Sequence, residues 1–161
     1  ITIRGQGQYA FENRLTPTAM STMGGYYTVR GYPQSVISGD SSVQGTIEYR
    51  YHLPRAFASQ PAGRGFLDDS FRWTRDSNTG AAPDWDLAFL GFFDAGCVWQ
   101  SEPYSFEDDS TTLLGAGVGV ELSIRENISL SLNYGWALKD LPAAGVEDGD
   151  DQVYFLGSIK F

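Results

Sequence analysis

Histidine and cysteine, the side chains that most readily carry nucleophilic, acid–base or metal chemistry, occur once each, as His52 and Cys97. His52 stands near Arg50 in a strand-like segment, with no second histidine or cysteine to share a metal and no serine triad to serve, so its role reads as structural. Cys97 can form no disulfide within the chain and reads as a small apolar residue. The acids gather in EDDS (107–110) and EDGDD (147–151), where solvated loop is the expected setting and a cation site the alternative. A net charge of -9 and a pI near 4.4 oppose a nucleic-acid partner, whose phosphates require clustered Lys and Arg. No catalytic constellation is visible: the chain is not expected to be an enzyme, and no metal, nucleotide or other cofactor is implied. Arg30 in VRGYP (29–33) offers a planar guanidinium fork, and FFDAG (92–96) carries Asp94.

The elements that must position these residues announce themselves by a period of two. In 128–138, Ile128, Leu130, Leu132, Tyr134, Trp136 and Leu138 oppose Ser129, Ser131, Asn133, Gly135 and Ala137. In 114–125, Leu114, Ala116, Val118, Val120, Leu122 and Ile124 oppose Gly115, Gly117, Gly119, Glu121, Ser123 and Arg125. The pattern recurs at 1–11, 43–53, 87–99 and 152–161, and it places Phe92, Asp94 and Gly96 on one face with Phe93, Ala95 and Cys97 on the other.

Alternation also suits a water-soluble sandwich, but these strands run about 10 residues, the span of a tilted transmembrane strand rather than the roughly 5–6 of globular proteins. The 19 glycines, the 14% aromatic content and the low charged fraction of 19% point the same way. No apolar run approaches the roughly 20 residues of a transmembrane helix. The expected fold is therefore all-β: residues 1–161 form the C-terminal six antiparallel strands of a transmembrane β-barrel in the bacterial outer membrane, in contact with the lipid bilayer. Leu132, Tyr134, Val118, Val120, Ile47 and Tyr49 are expected to face lipid, and Asn133, Gly117, Gly119, Glu48 and Arg50 the lumen. Six strands cannot close a membrane barrel, whose smallest forms have about 8, so further strands are expected before Ile1, in this polypeptide or another. The start, ITIRGQGQYA, reads as a strand rather than a signal peptide, which is expected upstream or in another chain.

With the C-terminus in the periplasm, strand parity puts 12–42, 100–111 and 139–151 outside the cell and the short turn 125–127 in the periplasm. The connection 54–86 is then periplasmic and unusually long. Its FRW stretch could form an amphipathic piece on the membrane surface, with a disordered insertion as the alternative.

Segment 24–40, GGYYTVRGYPQSVISGD, followed by VQGTIEYRYHLP, resembles the long external loop of the BamA/TpsB barrel superfamily. Within it the VRGYP…SGD wording is similar to the two-partner secretion transporters, the hemolysin secretion/activation family. The resemblance spans 1–161, with VRGY as its specific core. It implies a barrel of about sixteen strands when complete, preceded by periplasmic POTRA domains. It further implies that loop 12–42 folds into the barrel, presenting Val29, Arg30, Gly31 and Tyr32, and that Arg30 contacts Asp94 on a wall carrying Phe92, Asp94 and Gly96. Either arm of the loop, at roughly 3.3 Å per residue, is long enough to reach past the apolar band. The last strand, with Phe155, Ile159 and Phe161, resembles the C-terminal signal by which barrel precursors are recognised.

The expected function is export of a partner protein through the barrel. The same fold would serve a BamA- or TamA-like insertase that assembles client barrels, and a passive porin or structural barrel is the third reading.

Overall fold

Alternating β-branched, aromatic and small residues produce strands and little else. The computed structural model describes residues 1–58, 71–101, 103 and 109–161, which are all-β apart from two short 3-10 turns. No helix among them is long and apolar enough to cross a membrane. Eight strands follow in order: β1 (Thr2–Gln8), β2 (Ser21–Met23), β3 (Ile37–Gly39), β4 (Ser41–His52), β5 (Trp85–Trp99), β6 (Ser110–Ile124), β7 (Ile128–Ala137) and β8 (Asp151–Ile159). Six of them form one antiparallel sheet in the order β1-β4-β5-β6-β7-β8, with β1 and β8 at its edges. Strands β1 and β4 pair with Thr2 opposite Glu48 and Gln8 opposite Ser42.

The six long strands correspond to the six alternating segments, with shifted ends. Segment 1–11 pairs only to Gln8, because Phe11 and Glu12 take positive φ angles of 50° and 63° and the Asn13 amide turns back to the Ala10 carbonyl at 3.0 Å. Strand β6 begins at Ser110 rather than 114, and β8 stops at Ile159 rather than Phe161. Inside loop 12–42 lies a second sheet, β2 with β3, in which Thr22 faces Ser38. Three-residue strands are too short to display a period.

The two faces separate as the alternation implies. Ile47, Tyr49, Val118 and Leu132 are exposed, while Glu48, Asn133 and Gly117 are buried. Along β5, Phe92, Asp94, Gly96 and Val98 are buried and Phe89 and Phe93 exposed.

The chain divides into two compact units. The first comprises Ile1–Tyr49, Gly91–Val118 and Tyr134–Tyr154. Its core is Met23, Val29, Tyr32, Val98, Leu113, Ala137, Leu141 and Val146, so loop side chains and one face of β5 and β6 form a single apolar cluster. At Phe92, Val98 and Leu113 the inner surface is apolar and covered by the loop.

The second unit comprises Arg50–Leu90, Gly119–Asn133 and Phe155–Phe161. Residues 59–70 of the long connection lie outside the described residues, as do 102 and 104–108, which include Glu107 and Asp108 of the EDDS cluster. Of the described remainder, 54–58 carries the end of the 3-10 turn Leu53–Ala56, and 71–84 contains no helix. It is held by a ring cluster in which Trp73 lies 5.0 Å from Phe71 and 5.9 Å from Trp85, with Phe57 6.3 Å beyond Trp85. Asp84 accepts from the Arg72 amide at 3.0 Å and its guanidinium at 2.6 Å, with Arg125 at 3.8 Å. Elsewhere in this unit Arg50 pairs with Glu121 at 3.1 Å, and His52 Nδ1 meets Asp86 at 2.7 Å.

The Arg72 backbone bond, with the Arg72 and Arg125 charges, holds the Asp84 carboxyl below its ordinary value of 3.8 against the opposing effect of desolvation. A depressed folded pKa stabilises fully above the unfolded value and ceases to do so as pH falls through the folded one. Segment 71–86 should therefore loosen in acid, and Asp84→Asn should loosen it at neutral pH. Limited proteolysis reads this out: trypsin cleavage after Arg72 and Arg75 should rise several-fold in the variant. Unchanged cleavage would mean that the rings alone hold the segment.

Candidate functional site: a loop tip seated on the sheet

The tip of loop 12–42 is built by backbone before any side chain acts. Gly24, Gly25 and Gly31 take φ angles of 109°, 95° and 100°, values that side-chain-bearing residues rarely adopt. The Gly25 amide donates to Val29 O at 3.0 Å, and the Gly24 amide to Thr28 Oγ1 at 2.8 Å. These bonds close a turn that delivers Val29, Arg30, Gly31 and Tyr32 to the sheet.

Arg30 is only 5% exposed, and both carboxylates beside it are buried as well, Asp94 at 0% and Glu48 at 2%. Its Nε donates to Asp94 Oδ2 at 2.7 Å and its Nη2 to Asp94 Oδ1 at 3.0 Å, a two-pronged bond. The Arg30 backbone amide adds a third bond to Asp94 Oδ2 at 3.1 Å. The remaining prong, Nη1, donates to Glu48 Oε2 on β4 at 3.2 Å. The guanidinium carbon lies 3.4 Å from the centroid of the Phe92 ring, which presents its electron-rich face to the cation. Phe92 and Asp94, two apart on β5, thus act on one group from one face.

Tyr32 is fully buried, and its hydroxyl lies 3.0 Å from Leu114 O and 2.8 Å from Lys139 O, carbonyls to which it can donate. Burial pushes its phenol up, and Asp148 and Asp140 add to the shift, so it remains a neutral donor. Gly96 faces Val29 and Met23 so closely that a Cβ there would stand 3.0 Å from Val29 Cγ2. A Cβ on Gly115 would strike the Arg30 carbonyl, and one on Gly135 would lie 2.9 Å from the Gly31 nitrogen. The inward glycines of β5, β6 and β7 are the floor on which the tip lies.

The root of the loop has its own anchor. Asp40, fully buried, accepts from the Leu15 amide at 2.7 Å and the Ser101 amide at 2.8 Å. The Ala10 amide donates to Ser41 Oγ at 2.9 Å.

Of the residues singled out in the sequence, Val29, Arg30, Gly31, Tyr32, Phe92, Asp94 and Gly96 come together here. Phe155, Ile159 and Phe161 do not join the hydrogen bonds around Arg30; they are exposed along β8 and beyond it. Glu48, Asp40 and Tyr154 were missed as site residues. The phase of β4 put Glu48 on the inner face, but the same phase holds Gln44, Thr46 and Arg50, and nothing local marks which of them meets the loop. Among the described residues no group of three His, Cys, Asp or Glu is placed to hold a metal.

Comparison of the chain with family models, with curated proteins and with solved structures yields no match.

Removing one partner of a buried ion pair strands the other, at about 3–5 kcal/mol. Asp94→Asn and Arg30→Ala should each lower the unfolding free energy of the full-length protein by an amount of that order in urea titrations. Arg30→Lys should fall between these and the unaltered protein, since it keeps the charge and loses the fork. Gly135→Ala sets a methyl against loop backbone that cannot yield and should cost about 1–3 kcal/mol. A neutral Gly135→Ala would mean that the tip does not rest on β7.

Proposed function

We propose that this chain is the six-strand C-terminal portion of an outer-membrane β-barrel of the two-partner secretion type, which exports a partner protein presented by upstream POTRA domains. The observation that carries the reading is the seating of the VRGY tip: an arginine on a long loop, taken out of water and bound by two carboxylates on separate strands. A loop that merely narrows a pore needs no such device, because steric bulk suffices. A buried charge pair that either holds with all its bonds or leaves two carboxylates uncompensated suits an element with two discrete positions.

The outward face supports a bilayer setting. Ile47, Tyr49, Phe93, Val118, Leu132, Val153 and Phe155 are exposed, a density of large apolar groups that water-facing sheets avoid. Shifting the phase by one residue would bring Glu48 and Arg50 to that face, where Arg costs about 2–4 kcal/mol at the midplane. The open edges β1 and β8 would leave backbone groups unpaired in hydrocarbon, so in a membrane the sheet requires additional strands.

Two outcomes are expected. Arg30→Ala in the full-length protein should reduce secretion of the partner several-fold while the amount of heat-modifiable barrel in the outer membrane changes little. A proportional fall in both would make the loop a folding element. A defect in the assembly of other barrels, with secretion intact, would favour the insertase, and conductance independent of any partner the passive pore. Residues 1–161 expressed alone should give no defined conductance and no heat-modifiable band; either one would refute the need for more strands.

A further inference from the structure

Arg30 is the obvious hold on the loop tip, but the two residues that follow it are held by a different strand. Tyr154 of β8 reaches in with its hydroxyl, which accepts from the Gly31 amide at 3.0 Å and donates to the Tyr32 carbonyl at 2.8 Å. One side-chain oxygen thus satisfies a buried donor and a buried acceptor on neighbouring residues of the tip. The Tyr154 ring also lies 6.0 Å from that of Tyr26, on the turn that delivers the tip. Neither Asp94 nor Glu48 touches the Gly31 amide or the Tyr32 carbonyl in any of the bonds described above.

We infer that Tyr154 is a positioning residue through which edge strand β8 sets the seating of the Arg30 loop; this rests on the loop reading above. The guanidinium needs the Arg30 backbone within reach of Asp94 Oδ2, and the direction of that backbone is fixed on its far side by the Tyr154 hydroxyl. With Gly31 at a φ of 100°, the peptide beyond Arg30 has conformational freedom that no Cβ restricts, so an external bond must choose its orientation. Tyr154 is where a displacement of strand β8 would reach the tip.

The test uses the full-length protein in its membrane, with Cys97→Ser and a nitroxide on Tyr27→Cys, an exposed position on the turn, and reads the mobile fraction by electron paramagnetic resonance. Tyr154→Phe keeps the ring and deletes only the hydroxyl. It should raise the ratio of mobile to immobile loop about three- to tenfold, the range expected for one or two neutral hydrogen bonds. Replacing Tyr154 with 4-aminophenylalanine, which restores a donor at the same place, should recover part of the immobile fraction. Heat-modifiable migration should be the same for both variants. A mobile fraction unchanged by Tyr154→Phe but raised by Arg30→Ala overturns the role of Tyr154 and leaves the latch intact. If neither substitution frees the loop, the latch reading itself fails. If neither Tyr154 variant assembles, the residue serves assembly rather than seating, and the inference is wrong.

Discussion

The desolvation of Arg30 is the constraint on which the rest of the first unit depends. A guanidinium removed from water must recover its lost hydration from fixed partners, and here it does so with two bonds to Asp94, one to Glu48 and the face of Phe92. Asp94 and Glu48 both bind the Arg30 cation, and the exposed Arg4 on β1 lies 3.9 Å from Glu48. At an effective dielectric of about 20, unit charges 4 Å apart interact by roughly 4 kcal/mol before desolvation is counted, so the pair holds only while its geometry is complete. Partial withdrawal of the loop would forfeit the bonds while the charges remained buried.

Around this point the sheet is shaped to accept backbone rather than side chains. Glycines at 96, 115 and 135 leave the floor low enough for the Val29–Tyr32 stretch to lie against main chain, and Val29, Met23 and Tyr32 then fill the space above β5 and β6. The inner face is dry where the loop covers it. Burial of these apolar groups offsets the entropy of ordering a long loop, which the ion pair alone would not do.

Much of this arrangement is written in local sequence, and the part that is not has a common cause. The period of two gave all six long strands and the faces of Asp94, Glu48 and Gly117, because alternation depends only on neighbours along one strand. Arg30 and Asp94 stood out because their motifs, VRGYP and FFDAG, resemble those of a known barrel superfamily, and the resemblance implied that the two meet. Glu48 was recognised as inward but not as a partner, Tyr154 was invisible within an alternating strand, and Asp40 was merely part of SGD. Their roles come from residues far away in the chain, such as Leu15 and Ser101 for Asp40. Periodicity names a face; it does not name what will lie on it.

The loop is attached twice, by neutral amide donors to a carboxylate at the root and by a buried cation at the tip. At the root, the Asp40 carboxylate accepts from the Leu15 and Ser101 amides and the Gln8 side chain donates to the Asp40 carbonyl at 3.1 Å, so the bonds there join side chains to main chain around a residue adjoining β4. At the tip, apart from packing, every hold passes through a side chain: Asp94, Glu48, Tyr154 and the hydroxyl of Tyr32. Between root and tip the β2–β3 pair joins the two arms of the loop. The tip thus rests on a buried cation, the arms on backbone pairing and the root on one carboxylate shared by two amides.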